Sequence, residues 1–202
     1  TSAAVVRALA SYFGTELSDQ MVSELVFEVE KIHHGTPSGI DNTVVSYGKP
    51  IYFVKGLPFE IITVGKGFHL LIADSGVPSP TRIAVSLVRE GWKANPEAYD
   101  RLFDEIGEIA RLARRAIESG DVGEIGRLMN ENQRLLRAIN VSSPELERLI
   151  DAALAGGAMG AKLSGAGRGG NMIALVDPQI APRVERAVVE AGAQGVFTTE
   201  IN

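Results

Sequence analysis

The sequence predicts an α+β protein in two parts. Three observations carry that reading. Apolar runs with strand character stand at Phe68–Asp74, Ala161–Ser164, Met172–Val176 and Val196–Ile201. A long block of helical periodicity, with explicit start and stop residues, separates the first of these from the other three. Paired together, the four runs form one sheet with helices on one side, an α+β arrangement.

The elements follow in order. Residues 2–13 read as a helix, rich in Ala and Val and stopped by Gly14. Ser18 is a good N-cap for a second helix over 18–33. His34-Gly35-Thr36-Pro37-Ser38-Gly39 breaks it with glycine and proline. Short β-like pieces are expected at Thr43–Tyr47, Ile51–Val54 and Glu60–Val64, before the stronger strand at Phe68–Asp74. A helix over 80–91 comes next. Asn95-Pro96 then opens a longer one running to Ser119, with Asn as cap and Pro at the first helical position. Asp121-Val122-Gly123-Glu124 has the spacing of a capping box, and Ser143-Pro144 opens a helix ending at Gly156-Gly157. The chain closes with strand, glycine-rich loop, strand, a helix over 180–192 and a final strand. The stretch Val64-Gly65-Lys66-Gly67 is the expected boundary, dividing 1–65 from 66–202.

Composition narrows the function. The 202 residues are 45% hydrophobic and 22% charged, an ordinary globular balance. The net charge of −5 is spread along the chain with no basic stripe, which disfavours nucleic acid as a partner. Cysteine is absent, which excludes disulfides and thiolate metal sites and fits a reducing cytoplasm. Apolar runs such as Phe68 to Ala73 are too short to span a membrane, and no signal-peptide pattern is present. The opening Thr1-Ser2-Ala3-Ala4 has no initiator Met and runs straight into a helix, so the numbering is expected to begin inside a larger protein.

Three segments could carry chemistry. Gly35-Thr36-Pro37-Ser38-Gly39-Ile40-Asp41-Asn42 sets a carboxylate on a tight loop, where Asp41 could accept a proton or orient a hydroxyl. On spacing alone, Asp41 and Asn42 could equally be turn residues bonding their own backbone. Gly165-Ala166-Gly167-Arg168-Gly169-Gly170 matches the dinucleotide fingerprint in letters, but a strand follows it where that motif needs a helix. Four glycines in six residues exceed what a hairpin turn requires, and they let backbone N–H groups approach an anion. Ser2-Ala3-Ala4 leads into a helix whose free N–H groups could hold phosphate, or is a plain N-cap. Glu28 and Glu30 offer hard oxygen ligands for Mg²⁺ or are solvated. Asp74 to Arg82 joins a strand to a helix, a common place for substrate contacts. His33 and His34 are adjacent and point apart on a helix, which makes them a poor metal pair.

Together these pieces resemble the small-molecule ATP-dependent kinases of the galactokinase, homoserine kinase, mevalonate kinase and phosphomevalonate kinase superfamily. Thr1-Ser2-Ala3-Ala4 looks like the tail of its second motif, a phosphate loop entering a helix. His34 through Val44 resembles the mevalonate kinase version of the next block, and Lys162-Leu163-Ser164-Gly165-Ala166-Gly167 resembles the third motif. Met129 to Gln133 and Val141 to Leu146 look like the family's helical region. The resemblance implies the GHMP kinase fold: the remainder of an N-terminal α/β domain, then a C-terminal ferredoxin-like α+β domain. It implies ATP and Mg²⁺ as cofactors and phosphorylation of the primary hydroxyl of mevalonate, with Asp41 as the catalytic residue. Ser2 and Glu30 would hold Mg²⁺. Ser2, Ala3, Gly165, Ala166 and Gly167 would bind the nucleotide, and Thr81, His34, Gly165 and Ala166 the substrate. A cytoplasmic enzyme is implied, with no membrane or nucleic-acid partner, and a homodimer is left open.

Two departures stand out. The family's N-terminal strands, a catalytic-site lysine and the glycines of the phosphate loop are not in this sequence, so this segment alone is expected to fold and bind ATP incompletely. Arg168 stands where the family usually has glycine. Phosphomevalonate kinase, a mevalonate 3-kinase or decarboxylase-type relative, and a non-catalytic ligand sensor of the same fold are the alternatives; substrates of the related enzymes differ by a phosphate, which makes Arg82 and Arg168 the positions to examine.

Overall fold

The structure is a computed structural model that describes residues 2–34 and 38–202, without the side chains of His33 and His34. It divides into two compact units, Thr1–Thr63 and Val64–Asn202.

The first unit holds three helices, α1 (Ser2–Tyr12), α2 (Asp19–His34) and α3 (Ile40–Tyr47), and a two-stranded antiparallel ribbon of β1 (Ile51–Tyr52) and β2 (Glu60–Ile61). Ser18 caps α2 as expected, its hydroxyl accepting from the Met21 amide at 3.2 Å. Ala3, Val22 and Val26 bury where α1 meets α2, with Val6 and Leu17 against them. Arg7 ties this pair to α3, donating to Asp19 Oδ1 at 2.7 Å and to the Ser46 carbonyl at 2.8 Å. The β-like reading of Thr43–Tyr47 is corrected: these residues form the body of α3. The inward residues Asn42, Thr43 and Ser46 fall on one side of a helix, and Val44 and Val45 face out. The ribbon strands are shorter than the expected runs at Ile51–Val54 and Glu60–Val64.

The second unit carries a four-stranded antiparallel sheet ordered β4 (Gly160–Ser164), β5 (Asn171–Val176), β3 (Phe68–Asp74), β6 (Gly195–Ile201). Around it lie α4 (Thr81–Ala94), α5 (Pro96–Ser119), α6 (Val122–Ala138), α7 (Pro144–Gly156) and α8 (Ala181–Glu190). The predicted caps form. Asn95 accepts from Ala98 at 3.3 Å, Asp121 from Glu124 at 3.0 Å and Ser143 from Leu146 at 3.4 Å. Each such cap is worth about 1 kcal/mol. Helices on one side only is the expectation that fails. Leu71, Ala73, Met172, Ala174 and Leu163 join α7 and α8 in one core, while Phe68 and Leu175 join α5 and α6 in another. Successive side chains of a strand alternate faces, so both faces of the sheet are packed. No helix among the described residues is long and apolar enough to cross a membrane.

Helix α6 also closes the free edge of β4. Asn130 Oδ1 accepts from the Ala161 amide and Gln133 Oε1 from the Leu163 amide, both at 3.0 Å. Alternate amides of an edge strand point outward. Side chains one helical turn apart meet two of them.

Candidate active site

In the first unit, Gly39 caps α3 with φ 92°. Asn42 is buried and donates to the Ser23 hydroxyl at 2.9 Å and its carbonyl at 3.2 Å. The Thr43 hydroxyl donates to the Gly39 carbonyl at 2.7 Å. The Asn42 bonds clamp the first turn of α3 onto α2, and the Thr43 bond closes that turn on its own cap. Asp41 lies between Gly39 and Asn42, exposed, and its carboxylate has no hydrogen bond among the described residues. Asp41 is therefore a helical residue and not a turn residue bonding its own backbone, and Asn42 spends its side chain on Ser23. Ser2 is the first residue of α1 and half-buried, Ala3 is buried, and Glu30 is half-buried near the end of α2. Gly35, Thr36, Pro37 and the side chain of His34 lie outside the described residues.

In the second unit, the loop Gly165–Gly170 joins β4 to β5. Gly165, Gly167, Gly169 and Gly170 all have φ between 75° and 136°, and Arg168 shares the left-handed region at φ 61°. An L-residue there costs about 1–2 kcal/mol, so the arginine in this position holds some strain. The strain is balanced by bonds on two sides. The Arg168 amide donates to the Val141 carbonyl at 2.7 Å, and the Gly170 amide donates to the Val77 carbonyl at 2.8 Å. The Ser75 amide returns a bond to the Gly170 carbonyl at 2.9 Å, and the Ser79 hydroxyl donates to the Gly167 carbonyl at 2.5 Å. Among the described residues the amides of Gly165, Ala166, Gly167 and Gly169 have no partner. Such a row of free N–H groups on a left-handed loop suits an anion. Thr81, exposed at the start of α4, is two residues beyond Ser79 and so is tethered beside this loop.

Sequence reasoning singled out the loop but missed what holds it: Ser75, Val77, Ser79 and Val141. All but Ser79 act chiefly through backbone groups, which leave no mark in residue type. It also gave Lys162 no role of its own. Burial pushes the Lys162 ammonium down to about 8, and its Nζ donates only to the neighbouring Leu163 carbonyl at 2.6 Å. The unfolded chain, near an ordinary pKa of about 10.4, holds more protons between those values, so stability rises with pH across that window. The burial cost is full below about 8 and vanishes as pH passes about 10.4. Lys162→Met is expected to stabilise the second unit by about 1–2 kcal/mol at pH 7, with the gain fading as pH rises from about 8 and gone above about 10.4. Urea unfolding followed by Trp92 fluorescence checks it, since the only tryptophan lies in that unit.

Comparison with known proteins places these features in one class. The family described as GHMP kinases N terminal domain matches residues 1–49, and that described as GHMP kinases C terminal matches residues 113–194. The two matches fall in different structural units and together take in well over half of the sequence, and the chain belongs to the GHMP kinases. Within that family the likeness is to mevalonate kinases. The chain is 38% identical to the mevalonate kinase of Aeropyrum pernix over 100% of its own length and 63% of that protein's. It is 35% identical to the mevalonate kinase of Thermococcus sibiricus, over 96% and 59% of the two lengths. The crystal structure of L. major mevalonate kinase in complex with R-mevalonate superposes with a TM-score of 0.91 at 33% identity, covering 100% of this chain and 64% of that one. The chain thus spans about three fifths of the length of the curated relatives it matches.

Proposed function

We propose that the protein carrying this sequence transfers the γ-phosphoryl group of ATP to the primary hydroxyl of mevalonate, giving 5-phosphomevalonate for isoprenoid precursor synthesis. The observation that carries the reading is the unbroken likeness to mevalonate kinases along the whole chain, including one solved with R-mevalonate. Asp41 supports it: an exposed carboxylate with no competing bond among the described residues, on the first turn of α3, which Asn42 and Thr43 fix.

Asp41 takes the proton of the attacking hydroxyl as the new P–O bond forms. An alcohol is a poor nucleophile, so orientation by a fixed carboxylate counts as much as basicity. Phosphoryl transfer passes through a loose transition state, and catalysis is mostly positioning and charge neutralisation. The resemblance assigns the free amides of Gly165, Ala166 and Gly167, in the second unit, to phosphate oxygens, and likewise Ser2 and Ala3 at the start of α1, in the first. Thr81 and His34 are assigned to the substrate.

The donor set fits Mg²⁺. Ser2 and Glu30 offer one hydroxyl and one carboxylate, and Mg²⁺ bound with a nucleotide takes one or two carboxylates plus phosphate oxygens and water. No cluster of three or more ligand residues stands among the described residues, as that mode requires none. When bound, the ion would offset the negative charge of the phosphates. The reading further takes the enzyme to be cytoplasmic.

ADP release by the protein as its gene encodes it tests the proposal, with Mg²⁺ and mevalonate, phosphomevalonate, galactose and homoserine in turn. Turnover is expected with mevalonate alone. Turnover with another member of the panel overturns the substrate, and silence on all four with ATP still bound overturns the enzyme.

A further inference from the structure

We infer that Gln133, on α6, is the positioning residue that sets the shape of the Gly165–Gly170 loop. Gln133 is 2% exposed and uses its whole amide. Its Oε1 accepts from the Leu163 amide, two residues before the loop. Its Nε2 donates to the Ser142 hydroxyl at 3.0 Å and to Glu147 Oε1 at 2.8 Å. Ser142 follows Val141, whose carbonyl takes the Arg168 amide from inside the loop. Gly167 is pressed against the same carbonyl, since a Cβ built on it would meet Val141 O at 2.1 Å. One side chain thus fixes both the strand that enters the loop and the segment the loop leans on.

The network behind Gln133 is closed. Burial works against the Glu147 carboxylate, but hydrogen bonds from Arg137, Ser142 and Gln133 more than offset it and hold its pKa below the usual carboxylate range. Arg137 Nε donates to Glu147 Oε2 at 2.6 Å. Glu147 is therefore a fixed acceptor, and Gln133 cannot turn its amide over without setting its N–H groups against the Leu163 N–H and its carbonyl oxygen against the Glu147 carboxylate. Its orientation is set, and with it the 133-to-163 and 133-to-142 distances. Networks of this kind specify one geometry when every member is satisfied.

The effect on phosphotransfer rests on the functional reading above, but the structural claim does not. The test is amide hydrogen exchange on the full chain, comparing the parent with Gln133→Leu and with Gln133→Glu/Glu147→Gln. In the parent, the Leu163 and Arg168 amides are expected to be protected. In Gln133→Leu both should exchange at least tenfold faster, while Met172 and Leu175 in the sheet slow or quicken only with global stability. The double variant keeps an acceptor for the Leu163 amide, lets the Ser142 hydroxyl reverse and donate to residue 133, and keeps a donor–acceptor pair across 133 and 147, so it should recover most of the protection. An Arg168 amide that is unchanged in Gln133→Leu, or that follows the sheet amides in step, overturns the assignment. Should the parent turn over mevalonate, Gln133→Leu is expected to lower kcat about tenfold with the mevalonate KM little changed. An unaltered kcat also overturns the positioning role. A parent without turnover but with the selective loss of protection supports the role of Gln133 and removes only the functional reading.

Discussion

Asp41→Asn is expected to lower kcat by about 10²–10⁴-fold, the range for removing a positioned acid–base group. The KM for ATP should change far less, because the carboxylate acts on the hydroxyl in the transition state and not on the bound nucleotide. The fold should be indifferent. Asp41 is exposed, has no hydrogen bond among the described residues, and Asn is nearly its isostere. Surface changes of that kind stay within about 0.5 kcal/mol. Steady-state kinetics with mevalonate, beside a urea titration, separates the two. A kcat within a few-fold of the parent would remove Asp41 from the mechanism. Asn42→Ala is the informative companion. It strips the bonds to Ser23 and leaves buried groups unpaired, which costs about 1–3 kcal/mol. It should damage both stability and turnover where Asp41→Asn damages turnover alone.

How much of this could be read in the sequence depends on which forces leave a trace in residue type. Caps do, and Asn95-Pro96, Asp121 and Ser143-Pro144 began their helices where their side chains said they would. The strand at Phe68–Asp74 was legible because it is buried on both faces and so has an unbroken apolar run. The helix α3 was not. Its inward face is polar, Asn42, Thr43 and Ser46, and its outward face is Val44 and Val45, so the usual pattern is inverted and Thr-Val-Val reads as strand. The second core on the sheet was hidden for a related reason, since a run apolar on both faces does not say what covers each. The functional loop could be recognised from its glycines, but its supports are carbonyls and one buried glutamine. A Gln between Asn132 and Arg134 looks like solvated surface until the edge of β4 is seen beside it. The exposed apolar residues of the first unit, Tyr12, Phe13 and Ile32 among them, have no counterpart in a pattern-based reading.

Gly167→Ala and Gly165→Ala should part company although both glycines are left-handed, at φ 81° and 89°. Both variants bear the backbone cost of an L-residue at positive φ, about 1–2 kcal/mol. For Gly165 that is all, because nothing lies within 4 Å of where its Cβ would stand. For Gly167 the new methyl would stand 2.1 Å from the Val141 carbonyl oxygen and 3.0 Å from its carbon. That neighbour is backbone and cannot swing aside. It is also the acceptor for Arg168, so relieving the clash breaks the bond that holds the loop. Overpacking of this kind adds about 1–3 kcal/mol. Gly167→Ala is therefore expected to destabilise the second unit by about 3 kcal/mol, roughly twice the effect of Gly165→Ala, and to release the Arg168 amide to exchange. Trp92 fluorescence during urea unfolding measures the first quantity and exchange the second. Equal losses in the two variants would mean that the loop does not lean on Val141. The argument from Gln133 through Ser142 to the loop would then lose its middle link, because the segment Gln133 fixes would no longer be the one the glycines press against.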